Sequence, residues 1–295
     1  MDYFLLTDNL TKVTAKLDNL TNGRYFCRSL PIISWNINLP ALKNGDFMFH
    51  NCTSLTSFTG GLPALTNQDY MFQDCTSLTN WDIPLPVLMD GGDMFHGCTS
   101  LASFTGNLPA LTHGGNMFQG CTSLASWDIP LPALTNGGNM FWKCTSLASF
   151  TGDLPVLKSG GYMFNSCASL TNFTKDTPAL IDGGGMFQGC TSLTHFAGNL
   201  SALIYGYDMF NGCTSLTSFT GNLSALRYGF YMFKDCKLDL ISIQNIAETI
   251  NNLKAQNKTD EITIGMQSAL NGNADLAAAL TTIRNKGWMV TEQYN

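Results

Sequence analysis

Residues 94–116 read MFHGCTSLASFTGNLPALTHGGN, and the chain writes this stretch again and again with small changes. Met-Phe recurs nine times, from Met48-Phe49 to Met232-Phe233, always in steps of 23 residues. A Cys follows each Phe by three positions, from Cys52 through Cys236, and a Leu follows by three more, from Leu55 to Leu216. Three further on comes an aromatic residue: Phe58, Trp81, Phe104, Trp127, Phe150, Phe173, Phe196, Phe219. Two more Leu positions, such as Leu62 and Leu65, close the unit. A period of this length is the signature of a solenoid, in which each turn buries its apolar positions only against its neighbours. One turn offers about six core side chains, worth roughly 1.5–3 kcal/mol each when fully buried. Ordering its backbone costs about 1–2 kcal/mol per residue. No turn can stand alone, so stability has to come from stacking.

The unit has no room for a long helix. Pro63, Pro86, Pro109, Pro132, Pro155 and Pro178 mark a non-helical corner, because Pro fixes φ and lacks an N–H. Gly45, Gly91, Gly114, Gly137, Gly160, Gly183, Gly206 and Gly229 stand three before each Met. They are expected to supply a bend with φ > 0, with Gln68 as the exception to that rule. Stacked short parallel strands about 4.8 Å apart are the expected architecture. The phase also runs backwards: Phe26 lies 23 residues before Phe49, with Tyr25 in the Met place and Ser29 in the Cys place. In that register Cys27 falls out of phase, at the position of His50 and Gln73, and is expected to be an exposed and reactive thiol. A slower rhythm of 46 residues overlies the first, in which Trp35-Asn-Ile, Trp81-Asp-Ile and Trp127-Asp-Ile alternate with Phe-Thr-Gly units.

Composition excludes several classes. Only 12% of the 295 residues are charged, against about a quarter in an average soluble chain, yet 44% are apolar. Intrinsic disorder would show the opposite balance. The net charge of −6 and the absence of any Lys or Arg between Lys43 and Lys143, where seven Asp occur, argue against nucleic acid, which needs clustered cations. No apolar run approaches the ~20 residues of a membrane span, and MDYFLLTDNLTKV at the start is not a recognisable secretion signal.

The pattern F-x-x-C-x-x-L-x-x-[FW] with a following L-P-x-L and a period of 23 residues resembles the BspA-like leucine-rich repeat family of bacterial surface and bacteriophage proteins. Met stands here where that family usually has Ala, and Phe or Trp where it usually has an aliphatic residue. The resemblance implies a leucine-rich repeat solenoid of short parallel strands with loop and turn connections. It also implies binding of other macromolecules without catalysis, and a place on a cell surface or virion. The expected organisation is an N-terminal cap or attachment segment at 1–23, the array at 24–236, and an α/β cap at 237–295 that continues the solenoid. In that last segment Ile243–Leu253 and Ala274–Ile283 show helical spacing, whereas Glu261–Met266 and Trp288–Thr291 read as strands.

If the aromatic residue of each strand points inward, its two neighbours point outward by the period-2 rule. The outward rows are Ser57 and Thr59, Asn80 and Asp82, Ser103 and Thr105, Ser126 and Asp128, Ser149 and Thr151, Asn172 and Thr174, and His195. By analogy with leucine-rich repeats this polar surface is the ligand-binding face; the plain alternative is a strand face that keeps the array soluble. Tyr205, Tyr207, Tyr228, Phe230 and Tyr231 form a second candidate contact patch, or pack against the C-terminal cap.

Chemistry has no candidate. The Cys ladder lacks the close convergent spacing of a zinc site, and stacked parallel Cβ vectors do not suit disulfides, so the ladder reads as buried thiols. His50 and His96 lie two turns apart, too far to share a metal. The array holds no Glu, and its Asp residues do not pair for acid–base work. The expectation is a non-enzymatic recognition or adhesion module for protein or glycan, with no cofactor, no metal, no nucleic acid and no membrane insertion. The alternative is a structural or host-recognition component of a phage particle.

Overall fold

The computed structural model describes residues 17–256 and 259–295. Its repeating element is a strand of two residues, one outward and one inward: β1 (Ser34–Trp35), β2 (Ser57–Phe58), β3 (Asn80–Trp81), β4 (Ser103–Phe104), β5 (Ser126–Trp127), β6 (Ser149–Phe150), β7 (Asn172–Phe173), β8 (His195–Phe196) and β9 (Ser218–Phe219). Paired strands run parallel in a register of 23, with Ser34 opposite Ser57 and Trp35 opposite Phe58. A second ladder of single bridges ties the turns together just before the Gly position, as in Asp90–His113–Asn136–Ser159.

Between the ladders the repeated apolar positions fill the core. Phe95 and Phe118 stack with centroids 5.5 Å apart and planes 4° from parallel. Phe104 meets both edge-on at 5.7 and 5.0 Å, the offset geometry that the aromatic quadrupole favours. The cysteines have a role that a plain apolar residue could not fill. Cys98 Sγ donates to the Phe72 carbonyl at 3.1 Å, and the same bond recurs up the ladder. That carbonyl already accepts the Cys75 N–H, so the thiol occupies its second lone pair inside the core.

Two expectations fail here. The glycines at 45, 91 and their equivalents do not have φ > 0. Positive φ falls instead on the residue before each Met and the residue before each Cys, for example Phe47 at 56° and Asn51 at 59°. Both sit third in a tight turn closed by Met48 N–H to Gly45 O and Cys52 N–H to Phe49 O, where a type II turn needs that sign. The Gly position is small for want of space: a Cβ on Gly45 would stand 2.7 Å from Met71 Sδ of the next turn. Gln68 shows what happens without the glycine. Its side chain is buried, Nε2 takes the Asp90 carbonyl at 2.7 Å, and the bridge ladder lapses between Asn67 and Asp90.

The second failure concerns Cys27, which is fully buried rather than exposed. Its N–H donates to Met48 O as Phe49 N–H donates to Met71 O, and Ser29 N–H to His50 O as Asn51 N–H to Gln73 O. The offset is therefore 22 over this stretch, so Phe26 holds the Met place, Cys27 the Phe place and Leu30 the Cys place. The first turn is one residue short before Ile32. Burial and the nearby Cys52 raise the Cys27 thiol far above its usual range, which leaves no reactive thiolate.

The 46-residue rhythm has a steric cause. Each buried Trp must satisfy its indole N–H, and Trp35, Trp81 and Trp127 donate to the carbonyls of Ile37, Ile83 and Ile129, each at 2.9 Å. Those carbonyls lie over the next turn, where a Cβ on Gly60, Gly106 or Gly152 would come within 2.1, 2.5 and 2.4 Å. A Trp-x-Ile turn therefore demands Gly two residues after the aromatic of the next turn, as the Lys175 carbonyl does of Gly198 at 2.6 Å. Strand pairing follows the same grouping, β1 with β2, β3 with β4 and β5 with β6, before β7, β8 and β9 join in one sheet.

After the array, strand β10 (Gly229–Leu238) leads into helix α1 (Leu240–Thr249), strand β11 (Asp260–Met266), helix α2 (Ala274–Asn285) and strand β12 (Trp288–Tyr294). Asp239 caps α1 through the Ser242 N–H, and Asn273 caps α2 through the Leu276 N–H, each satisfying a donor that a helix start leaves free. The strands pair parallel in the order β10-β11-β12. Ile243, Ile246, Leu280 and Ile283 close over them as one apolar layer. Of the N-terminal segment, residues 1–16 lie outside the described residues, and Asn22 bridges to Asn44.

Candidate binding face

The outward strand residues form one continuous polar surface. Ser57, Thr59, Asn80, Asp82, Ser103, Thr105, Ser126, Asp128, Ser149, Thr151, Asn172 and Thr174 are all exposed, and His195 is half-buried. Alternation puts them there: the intervening aromatic is at most 4% exposed in every strand from β1 to β9. His195 Nδ1 lies 2.9 Å from the Ser218 hydroxyl of the next turn.

Threonines that begin the strands extend the face. Thr56 Oγ1 donates to Ile33 O at 2.9 Å and Thr79 Oγ1 to Thr56 O at 3.3 Å, so the hydroxyl rows are held in register across turns. Thr56 and Thr79 were not among the expected face residues. The signal that could have found them is the polar residue directly after Leu55 and Leu78. A shallow depression of about 320 Å³ opens on this surface between Thr56, Thr59, Asn80, Asp82 and Thr105.

The aromatic residues near the C-terminal end separate into smaller groups. Tyr205 and Tyr228 stack with centroids 5.0 Å apart and planes 2° from parallel, and both are exposed. Phe230 and Tyr231 form a second pair, 3.7 Å between centroids, and the Lys234 ammonium sits 4.9 Å from the Tyr231 ring. Tyr207 lies across Gly184, where a Cβ would meet its ring at 2.3 Å. Tyr228 also borders a small cavity of about 190 Å³ with Arg227, Leu253 and Asp260, which brings it against the C-terminal elements.

Burial governs the other thiols of the ladder as well. Burial pushes Cys52 up to about 11, against backbone donors from Leu30 and Ser29 that lower it, and Cys190 up to about 12. His96 Nδ1 lies 3.0 Å from Asp93 Oδ1. Among the described residues no group of three or more His, Cys, Asp or Glu converges to hold a metal ion, and no helix is long and apolar enough to cross a membrane.

No curated protein matches the chain. Among solved structures, a leucine-rich repeat protein from Bacteroides ovatus shares 19% identity at a TM-score of 0.39, covering 88% of this chain and 84% of that one. A leucine-rich cell surface protein from Faecalibacterium prausnitzii shares 16% at 0.38, covering 90% and 73%. A leucine-rich repeat protein of T. pallidum shares 18% at 0.34, covering 89% and 87%. The BspA type leucine-rich repeat region matches in six copies over residues 3–109, 66–194 and 181–272. With nearly the whole chain so matched, and with the repeating strand and core geometry described above, the protein belongs to the BspA type leucine-rich repeat family.

Proposed function

We propose that the protein is a non-enzymatic recognition module that binds a protein or glycan through the outward strand face. The repeat family supports a binding role in general, and the observation that carries the reading to this face is its make-up. From Ser57 to Thr174 it is an exposed run of hydroxyls, amides and two carboxylates on a backbone hydrogen-bonded from turn to turn, the kind of preorganised polar surface that loses little entropy on binding. Adhesion at a cell surface is the use this reading favours. In the alternative, a bacteriophage particle would carry the same face for host recognition, and detection of the protein in purified virions separates the two.

The experiment is a glycan and surface-protein binding screen, followed by replacement of Thr105, Asp128 and Thr151 with Lys. All three are exposed, so the fold should survive, as judged by an unchanged circular dichroism spectrum and melting curve. Loss of binding to the ligand found in the screen supports the face. Retained binding removes it.

A further inference from the structure

The strand face is not uniform. Within a hydrogen-bonded pair of turns the residue after the aromatic is tied down: the N–H groups of Thr59, Thr105 and Thr151 donate to the carbonyls of Trp35, Trp81 and Trp127 at 2.8, 2.7 and 2.8 Å. Between pairs this bond is missing. The N–H of Asp82 does not reach the Phe58 carbonyl, nor that of Asp128 the Phe104 carbonyl, and no other described residue takes up either carbonyl. Strand pairing lapses at the same two places and at a third, between β6 and β7, where Thr174 stands in the place of the carboxylate. The face therefore opens at Phe58/Asp82 and again at Phe104/Asp128.

The first opening is the depression described above. Phe58 and Trp81 line it, each residue as a whole being at most 2% exposed. An unpaired backbone carbonyl is costly unless water or a ligand takes it. Beside it stand the Asp82 carboxylate and the Thr59 and Thr105 hydroxyls, all able to accept. Asp128 repeats the set two turns on, with Thr105 and Thr151 as neighbours. At about 4.8 Å per turn the two carboxylates are separated by roughly 10 Å along the stack.

Neither carboxylate has a counter-ion of its own. Among the described residues Asp82 and Asp128 belong to no ion pair, whereas Asp153, further along the array, is paired with Lys175 at 3.0 Å. No Lys or Arg occurs from 44 to 142. We propose that these two openings, as a deepening of the recognition role assigned to this face, each receive a Lys or Arg side chain from a basic segment of a partner protein. A cationic head supplies several donors and no acceptor, which matches a pocket made of a carboxylate, a free carbonyl and hydroxyls. An extended polyproline II segment brings every third residue back to the same side at about 9.3 Å, close to the spacing of the openings.

The probe is a synthetic peptide with the repeat Lys-Pro-Pro, compared with versions carrying Gln or Glu in place of Lys, followed by fluorescence anisotropy at low and high salt. The Lys peptide should bind and the other two should not. The double variant Asp82→Asn/Asp128→Asn should weaken binding about tenfold, each exposed ion pair being worth roughly two- to fivefold. The double variant Asp46→Asn/Asp69→Asn, off the strand face, should leave it within about twofold. Equal loss in both variants, or no loss at Asp82 and Asp128, overturns the proposal, because attraction would then be to net charge alone. Should the triple Lys variant abolish binding of the screened ligand while the Asn variant changes nothing, the face stands and the basic partner falls. Should the triple variant bind that ligand as before, the face itself falls.

Discussion

Replacing Gly106 with Ala tests the steric logic of the two-turn rhythm. The new Cβ would lie 2.5 Å from Ile83 O and 3.0 Å from Trp81 Cδ1, distances that no side-chain rotation can relieve at the carbonyl. Either the backbone of one turn shifts, or Ile83 O turns away and the Trp81 indole N–H loses the 2.9 Å bond it makes inside the core. Overpacking of this kind costs about 1–3 kcal/mol, and a buried donor left without a partner costs about 1–3 kcal/mol. Because the two are alternatives in part, the expected loss is about 2–4 kcal/mol. Gly115→Ala is the matched control. Its Cβ would meet nothing closer than Gly138 O at 3.9 Å, and without strain the change restricts the unfolded chain, so stability should be unchanged or slightly raised. Urea titration followed by tryptophan fluorescence and circular dichroism reads both variants. A Gly106→Ala protein as stable as wild type, or a control equally damaged, would refute the reasoning.

Three further outcomes are expected. Phe104→Ala removes a ring that meets Phe95, Phe118 and Trp127 and should cost about 3–5 kcal/mol in the same titration; a cost below about 1 kcal/mol would contradict the inward assignment. Asp69 has its carboxyl raised by burial and by the charges of Asp46, Asp90 and Asp93, so its ionised form opposes folding as pH rises through the carboxylate range. Asp69→Asn should therefore raise the melting temperature at pH 7 and lose that advantage as pH falls below the unperturbed value of 3.8, where the wild-type group is protonated in both states. In amide hydrogen exchange the N–H groups of Asp82 and Asp128 should exchange faster than those of Thr59, Thr105 and Thr151, which are bonded to Trp carbonyls. Equal protection would close the openings.

Much of this architecture is legible in the residues because a repeat states each inward position many times over. Phe58, Trp81 and Phe104 recur in phase with Leu55, Leu78 and Leu101, and all are buried. The C-terminal elements follow their own apolar spacing, although α1 begins at Leu240 rather than Ile243 because Asp239 supplies its cap. What the repeat hides is anything that depends on the neighbouring turn. The first turn misleads because Tyr25-Phe26 imitates Met-Phe, while the missing residue before Ile32 moves Cys27 into the Phe place. Gly45 looks like a bend and is a clearance for Met71. Thr59 and Asp82 look equivalent by spacing, yet only Thr59 finds a carbonyl across the turn, a difference of approach that no single unit records.

The most direct measurement of the recognition role is the affinity of the screened ligand for two charge-matched variants. One carries Lys at Thr105, Asp128 and Thr151 on the strand face. The other carries Lys at Asp90, His113 and Asn136, exposed positions on the opposite ladder. Binding lost in the first and kept in the second is the predicted result; binding kept in the first, or lost only in the second, would contradict a role for this face.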